Sequence, residues 1–276
     1  LQARLASLRD RGFTTVVLEA CSHALDQGRL LGTRIAVAGW TNLSRDHLDY
    51  HGDFATYAAA KMRLFTELLP VGHRAWVNAD DAAVAVARDV HGVCGYSFGA
   101  ASDAEAQVAG LHLDARGLAV RVHVHGQTPL ALQAPLLGRH NAHNLVLAAL
   151  ICRELGLSNT ALSSAAEVLR APPGRLEPVP NTLGALILVD YAHTPDALTE
   201  VLAVGRELLA PAGRLHVVFG CGGDRDAGKR QPMGLAAGTS ADVSLATSDN
   251  PRHEDPHAIL RPVAAGLTEG GARQVD

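Results

Sequence analysis

Cysteine pairs, a basic charge excess and long apolar runs are all missing from this 276-residue sequence. Its four cysteines are widely spaced with no Cys-x-x-Cys pair, which predicts reduced thiols in a cytoplasmic protein. No run approaches the length of a membrane span, and no basic-then-apolar signal opens the sequence, so membrane and secreted proteins are disfavoured. With 24 basic against 28 acidic residues, the sequence predicts no basic face for nucleic acid.

Lysine is also scarce. Lys61 and Lys229 are the two lysines, and the other 22 basic residues are arginine. A bias in base composition explains arginine wherever only a surface charge is needed. A retained lysine then marks a position where arginine cannot serve, because a lysine amine can become neutral and react whereas a guanidinium stays protonated. The two lysines are therefore the first candidates for chemistry.

The length, near twice that of a usual domain, and the apolar patterning together predict two α/β domains. Strand and helix patterns alternate up to residue 98, which indicates a mostly parallel sheet, and residues 118–124 alternate as a half-buried antiparallel strand does. The Pro-Pro-Gly break at 172–174 precedes a second β/α series. We predict a first domain at 1–173 with a small antiparallel portion and a Rossmann-like second domain at 174–276. Both domains look truncated, since such sheets usually have more strands.

Individual elements follow from the same pattern. It predicts strands at 14–18, 35–40 and 185–189 and helices at 22–30, 54–69 and 141–155. Five predicted strands end in polar clusters, which begin at residues 19, 41, 190, 220 and 248. Ligands of open α/β sheets bind beyond the carboxyl ends of strands. Each cluster alone is consistent with a solvated loop, but together they favour a site between the two domains.

The segment 46–53 contains three aspartates and two histidines. Mg²⁺ takes oxygen ligands and keeps several waters, whereas Zn²⁺ would suit His47 and His51 if they lie four apart on a helix. A helix start capped by aspartates explains the segment equally well.

Lys61 falls on a predicted helix among apolar residues. Its stem can pack while the amine reaches water. Alternatively, burial favours the neutral amine, which can add carbon dioxide to form a carbamate, a carboxylate on a long arm able to bind Mg²⁺.

Three further residues each allow a structural and a functional interpretation. Lys229 completes a Gly-x-x-x-x-Gly-Lys match, but Arg230 stands where a phosphate-binding loop needs Ser or Thr, so we reject that motif. Asn141 either caps a helix or reads an adenine edge. Arg175, after the Pro-Pro-Gly break, either forms a linker salt bridge or reaches phosphate oxygens.

Taken in order, the motifs resemble the Mur ligases, most closely the MurE branch. They are Glu19-x-x-Ser-His-Ala-Leu25, the run from Thr41 to Gly52, Tyr57-x-x-Ala-Lys61, Asn141-x-x-Asn144, Gly174-Arg175, Asp190-Tyr-Ala-His-Thr-Pro-Asp196, Phe219-Gly-Cys-Gly-Gly-Asp-Arg-Asp226 and Asp249-Asn-Pro-Arg252. The runs at 41–52 and 219–226 are highly specific, and the resemblance covers nearly the whole chain.

The resemblance implies an ATP-dependent ligase of peptidoglycan synthesis. It would add meso-diaminopimelate to UDP-N-acetylmuramoyl-L-alanyl-D-glutamate through an acyl phosphate, with Mg²⁺ offsetting phosphoryl charge. The implied roles are Glu19, His47 and carbamylated Lys61 for Mg²⁺; Cys21, Gln27 and Arg29 for the UDP-sugar peptide; Asn141, Arg175 and Asp190 for ATP, with His193 nearby; and Arg225, Asp249, Asn250, Pro251 and Arg252 for the amino acid. A monomer acting on small molecules is expected.

The sequence departs from the family pattern in several places. The UDP-binding domain, the phosphate-binding loop and a Gly-Lys-Gly-His-Glu segment do not occur in it, so we expect an internal fragment that is inactive alone. Cys21 stands where the pattern has Ser, which weakens that contact. Alternatives are a lysine- or ornithine-adding ligase, a folylpolyglutamate synthase-like ligase, and a non-catalytic binding fragment.

Overall fold

The computed structural model describes residues 1–44 and 47–272, except the side chain of Asp49. The chain divides into two compact units. The first takes in residues 1–112, 118–134 and 140–169, and the second takes in 113–117, 135–139 and the residues from 170 onward. Short segments are thus exchanged between the units, and the boundary at 173/174 stays a prediction.

The first unit is built on one six-stranded sheet in the order β1-β2-β3-β4-β5-β6. Its strands are β1 Val37–Trp40, β2 Arg74–Asn78, β3 Val93–Ser97, β4 Ala106–Asp114, β5 Gly117–Val124 and β6 Leu130–Ala134. The first four pair in parallel, and β5 pairs antiparallel with β6. The predicted class, a mostly parallel α/β sheet with a small antiparallel portion, is confirmed.

Seven helices accompany this sheet among the described residues. They are α1 Gln2–Asp10, α2 Ser22–Asp26, α3 Leu48–His51, α4 Phe54–Arg63, α5 Ala82–Ala85, α6 Arg139–Glu154 and α7 Asn159–Glu167. A π-helical turn, Leu64–Leu68, continues α4, and a 3₁₀ turn, Val86–Asp89, continues α5. No helix in the described part of the chain is long and apolar enough to cross a bilayer.

Burial explains the strand patterns. Residues 75–78 of β2 are all buried, as expected for a parallel strand covered on both faces. In contrast, β6 alternates buried and exposed residues, as expected for an antiparallel strand with one wet face. Trp40 at the end of β1 stacks on Phe65 with ring centroids 5.8 Å apart, which ties the sheet to the turn that follows α4.

The predicted strand at 14–18 is wrong. This segment has no regular secondary structure and belongs to no sheet among the described residues, and Val17 is 94% exposed. A strand is defined by its ladder partners, and apolar composition alone does not supply them. Other elements are shorter than predicted: α2 ends at Asp26, β1 begins at Val37, and the predicted strand at 185–189 retains only Leu188–Val189.

The second unit carries two small sheets. Strands β7 Glu177–Pro178 and β8 Leu188–Val189 pair antiparallel, and β9 His216–Phe219 pairs in parallel with β10 Val243–Ala246. Its helices are α8 Pro195–Glu207, α9 Arg230–Ser240 and α10 Pro256–Glu269. Helices α9 and α10 pack through glycines: a Cβ added at Gly266 would lie 2.0 Å from the carbonyl oxygen of Gln231.

An ion pair joins α8 to the start of β10. Arg206 Nη1 lies 2.7 Å from Asp242 Oδ2, and the same oxygen accepts the backbone N–H of Leu215 at 2.7 Å. The hydrogen bond from Arg206, followed by that from Leu215, lowers the pKa of Asp242 from 3.8 to about 2. The carboxylate therefore stabilises the fold at pH values above its pKa in the unfolded chain. This stabilisation is lost as the pH falls through its pKa in the folded protein.

We expect Asp242→Asn to lower the melting temperature of the second unit at neutral pH. The difference from wild type should shrink as pH falls from 3.8 towards 2, because the wild-type carboxylate is then protonated too. Thermal unfolding of the second unit, monitored by amide exchange over this pH range, measures the difference. Asp10→Asn, which removes an exposed pair with the adjacent Arg9, serves as control. A difference independent of pH contradicts the assignment.

Candidate active site

A cluster of histidine and tyrosine rings lies where the sequence predicts a metal site. His23 is 4.9 Å from His47 and 4.1 Å from Tyr50 between ring centroids, and Tyr57 faces both His47 at 6.0 Å and His51 at 5.4 Å. Buried His51 bonds through Nε2 to buried Ser22 Oγ at 3.0 Å. The packed rings and this hydrogen bond fix the geometry of the cluster.

His47 and His51 do not share a helical face. His47 adopts a left-handed backbone conformation, φ 54°, directly before α3 begins at Leu48. The spacing argument for zinc therefore fails, because it required both residues on the helix. Asp53 does cap a helix, as its Oδ1 accepts the backbone N–H of Thr56 at the start of α4. Asp46 lies outside the described residues. Within the part of the chain that the structure describes, no three His, Cys, Asp or Glu side chains form a metal-binding group.

Lys61 is half-buried on α4, and its Nζ lies 5.5 Å from the centroid of the Tyr57 ring. A cavity of about 1050 Å³ is lined by Lys61 and Glu19, together with Thr41 and Asn42 beyond the end of β1. The His47 ring faces the same Tyr57 ring that Lys61 approaches. The structure thus places Glu19 and Lys61 on one cavity, while His47 and Lys61 each lie near the Tyr57 ring.

Gln27 and Arg29, the predicted substrate contacts, form a hydrogen-bonded pair in the turn after α2. Arg29 donates from Nη2 to Gln27 Oε1, and Gln27 donates from Nε2 to the Tyr50 hydroxyl at 3.0 Å. Cys21 is half-buried and occupies the N-cap position of α2. All three predicted contacts therefore lie at the two ends of one short helix.

Asn141 is the third residue of α6, which begins at Arg139. Asn141 therefore lies in the first turn of the helix and is not its N-cap residue. The amide nitrogen of Asn144 donates to Asn141 Oδ1 at 3.4 Å, one turn further along.

The loop after β8 carries Asp190 and His193 in the second unit. Asp190 accepts the backbone N–H groups of Leu176 and Ala192, each at 2.8 Å. The Arg175 guanidinium lies over the Tyr191 ring at 5.4 Å. Lys229 Nζ donates to the carbonyl oxygen of His193 at 2.8 Å. Lys229 therefore fixes the loop that presents His193, consistent with our rejection of a phosphate-binding loop.

The loops that follow β9 and β10 meet at the shared carboxyl end of these parallel strands. Gly223 N–H donates to the carbonyl of Asn250 at 2.8 Å, and Arg252 Nη1 donates to the carbonyl of Gly223 at 2.6 Å. A Cβ at Gly223 would lie 1.9 Å from the Pro251 carbonyl oxygen, so only glycine allows this approach. Arg225 and Asp249 are exposed on the two loops.

An ion pair between buried Arg230 and half-buried Glu254 braces the same loops. Glu254 Oε1 accepts the backbone N–H of Asp224 at 2.6 Å and the Nη2 of Arg230 at 2.7 Å. Arg230 is only 5% exposed. Its hydrogen bond, followed by that from Asp224, lowers the pKa of Glu254, so the carboxylate stays ionised. Arg230 thus has a structural partner at the position where a phosphate-binding loop has Ser or Thr.

Sequence reasoning gave no role to Tyr50, Tyr57 or Glu254, and it did not predict the partner of Arg230. One signal was available for the tyrosines, since two of the chain's four tyrosines fall at positions 50 and 57, close to the histidines. No spacing rule links Arg230 to Glu254, which lie on different elements.

The fold and these loops define a two-unit α/β protein with polar loops at its strand ends. Residues 1–152 match the Mur ligase middle domain, and residues 174–275 match the Mur ligase glutamate ligase domain. The chain belongs to the Mur ligase family, and the resemblance seen in its motifs is confirmed.

Several relatives carry the name UDP-N-acetylmuramoyl-L-alanyl-D-glutamate–2,6-diaminopimelate ligase. That of Geobacter sulfurreducens is 42% identical over 100% of this chain and 55% of its own length, and that of Rhizobium meliloti is 45% identical over 99% and 57%. A solved structure with this name has a TM-score of 0.72 and 38% identity over 99% of this chain and 56% of its own. Folylpolyglutamate synthase of Mycobacterium tuberculosis, at 23% identity and TM-score 0.65, shares the fold. The chain spans about half the length of the curated relatives it matches.

Proposed function

We propose that this protein is an ATP-dependent amide ligase that joins meso-diaminopimelate to UDP-N-acetylmuramoyl-L-alanyl-D-glutamate in peptidoglycan synthesis. The observation that carries the proposal is the braced Asp249–Arg252 loop, in a chain 42% identical along its whole length to ligases of that name. The protein acts as a monomer in the cytoplasm on small-molecule substrates. Its four cysteines, which form no disulfide, agree with that compartment.

The reaction proceeds in two steps. The side-chain carboxylate of D-glutamate takes the terminal phosphoryl group of ATP, giving an acyl phosphate and ADP. An amine of diaminopimelate then attacks the acyl carbon, and phosphate leaves from a tetrahedral intermediate. Asn141, Arg175 and Asp190 contact the nucleotide, with His193 beside it. Arg175 suits this role because a guanidinium forks onto phosphate oxygens.

Mg²⁺ requires few protein ligands here, because it keeps waters and binds substrate phosphates. Glu19, His47 and carbamylated Lys61 would hold it, and the assignment is supported by the cavity that Glu19 and Lys61 line and by the Tyr57 ring that His47 and Lys61 both approach. When bound, the ion offsets negative charge on the phosphoryl group. The carbamate supplies a second carboxylate, which the donor set otherwise lacks.

Arg252 carries the choice of amino acid. Diaminopimelate has a distal carboxylate that lysine lacks, and arginine pairs with carboxylates in a forked geometry. The backbone of Arg252 is fixed at φ 50° and its Nη1 on Gly223, so the guanidinium is already ordered before substrate arrives.

We expect Arg252→Ala in the natural full-length protein to raise the KM for diaminopimelate by about 10–100-fold, as for the loss of a charge-assisted pair. Discrimination against lysine should fall by a similar factor. Competition between the two amino acids, with product analysis, measures both. Arg261→Ala on α10 is the matched control and should leave them unchanged. Selectivity that survives Arg252→Ala refutes the proposed substrate.

A further inference from the structure

We infer that Tyr50 is a positioning residue that sets the Gln27–Arg29 pair to receive the anionic UDP-sugar peptide. The inference rests on the proposed function, which assigns Gln27 and Arg29 to that substrate. It adds Tyr50 and its partner Asp26, which are exposed residues outside the assigned contacts.

The observation behind it is a continuous chain of hydrogen bonds from a carboxylate to a guanidinium. Tyr50 donates its hydroxyl proton to Asp26 Oδ2 at 2.8 Å. The same hydroxyl oxygen accepts the Gln27 amide at 3.0 Å, and the Gln27 carbonyl accepts Arg29.

The direction of every bond in this chain is determined by its two ends. An ionised Asp26 can only accept and Arg29 can only donate. Tyr50 must therefore donate towards Asp26, which leaves its oxygen as acceptor for the Gln27 NH₂ group. A flipped Gln27 amide would place NH₂ against the guanidinium and carbonyl oxygen against the hydroxyl oxygen. Tyr50 thus selects one of the two amide orientations.

The orientation of Gln27 matters because it fixes Arg29. The guanidinium has five N–H donors, and the Gln27 carbonyl takes one of them from Nη2. The other donors lie on an exposed residue, at a site assigned to a substrate that carries carboxylates and a diphosphate. Ordering the side chain in advance lowers the entropy cost of binding such an anion.

Other contacts, which do not involve the Tyr50 hydroxyl, hold the residues of this hydrogen-bonded series in place. The Tyr50 ring packs on His23 at 4.1 Å and on His51 at 4.7 Å between centroids. The backbone carbonyl of Asp26 accepts Arg63 Nη1 at 2.9 Å. Tyr50→Phe therefore removes the hydroxyl alone and leaves the ring in its contacts.

The test measures binding of UDP-N-acetylmuramoyl-L-alanyl-D-glutamate to the natural full-length protein by calorimetry, together with steady-state kinetics. We expect Tyr50→Phe to weaken binding about tenfold and to raise the KM for this substrate equally, with kcat and the KM for ATP unchanged. In a Gln27→Ala background, Tyr50→Phe should have no further effect, because the hydroxyl acts through Gln27.

The matched control is Tyr96→Phe in the same unit. Tyr96 is fully buried, and its hydroxyl has no hydrogen-bond partner among the described residues, so its loss should leave binding unchanged. Wild-type affinity in Tyr50→Phe contradicts the inference and leaves the proposed function standing. The same holds if Tyr50→Phe weakens binding as much in the Gln27→Ala background as in the wild type. Failure of the wild-type protein to bind this substrate overturns the proposed function and the inference with it.

Discussion

Lys61→Arg is expected to lower the ligase kcat of the natural full-length protein by about 10²–10³-fold, the usual cost of removing one positioned charge from a reacting centre. Arginine keeps the positive charge and the length, but its guanidinium cannot add carbon dioxide. The substitution therefore changes the sign of the charge that we propose beside Glu19 and His47. Its other contact, over the Tyr57 ring, is one that arginine also makes.

The low lysine content makes the carbamate directly observable. The chain has two lysines, so ¹³C NMR of the 276-residue chain in labelled bicarbonate should show a carbamate carbon that Lys61→Arg lacks. Lys229→Arg is the matched control and should keep the signal, because the Lys229 amine is used on the His193 carbonyl. A carbamate spectrum that Lys61→Arg leaves unchanged, or full activity in that variant, contradicts the assignment.

Gly266→Ala is expected to destabilise the second unit by about 3 kcal/mol, at the upper end of the usual cost of overpacking. The new Cβ would lie 2.0 Å from the Gln231 carbonyl oxygen and 2.7 Å from the Leu235 nitrogen. Both are backbone atoms of α9, so the two helices must separate. Helix propensity alone gives the opposite sign, since alanine is favoured over glycine by about 1 kcal/mol.

The measurement must report on the second unit. Both tryptophans, Trp40 and Trp76, lie in the first unit, so their fluorescence monitors that unit only. Amide exchange of α9 and α10 in urea reports the stability of the second unit. Gly205→Ala on α8 is the control, because its Cβ would meet the movable Leu215 side-chain carbon at 2.8 Å. Equal stability of the two variants contradicts the backbone-clash argument.

The fold was predictable where periodicity and burial agree. The alternation at 118–124 specifies a strand, and β5 follows. The segment 14–18 is also rich in strand-forming residues, but strand formation depends on a partner that composition does not reveal. Helix ends were less exact: α4 gives way to a π-helical turn at Leu64, which no residue pattern announces.

The sequence marks candidate contact residues, but it does not mark the residues that hold them in place. Gln27, Arg29 and Arg252 are exposed polar residues in loops, which is why motifs mark them. Tyr50 bonds to Gln27, and Glu254 bonds to the Asp224 backbone and to Arg230, in each case from another element, and sequence spacing does not encode such distances. The His47–His51 pair shows the converse error, because a helical spacing was assumed for a residue that lies before the helix.

The Arg230–Glu254 pair also limits how this loop can evolve. One substitution, Arg230→Ser, would complete a phosphate-loop sequence after Gly228 and Lys229. It would also strip the Glu254 carboxylate of its cationic partner while that oxygen still holds Asp224 N–H. The single substitution that completes the motif thus also removes a contact that braces the loop. Reaching the motif without losing that contact requires changes at both Arg230 and Glu254.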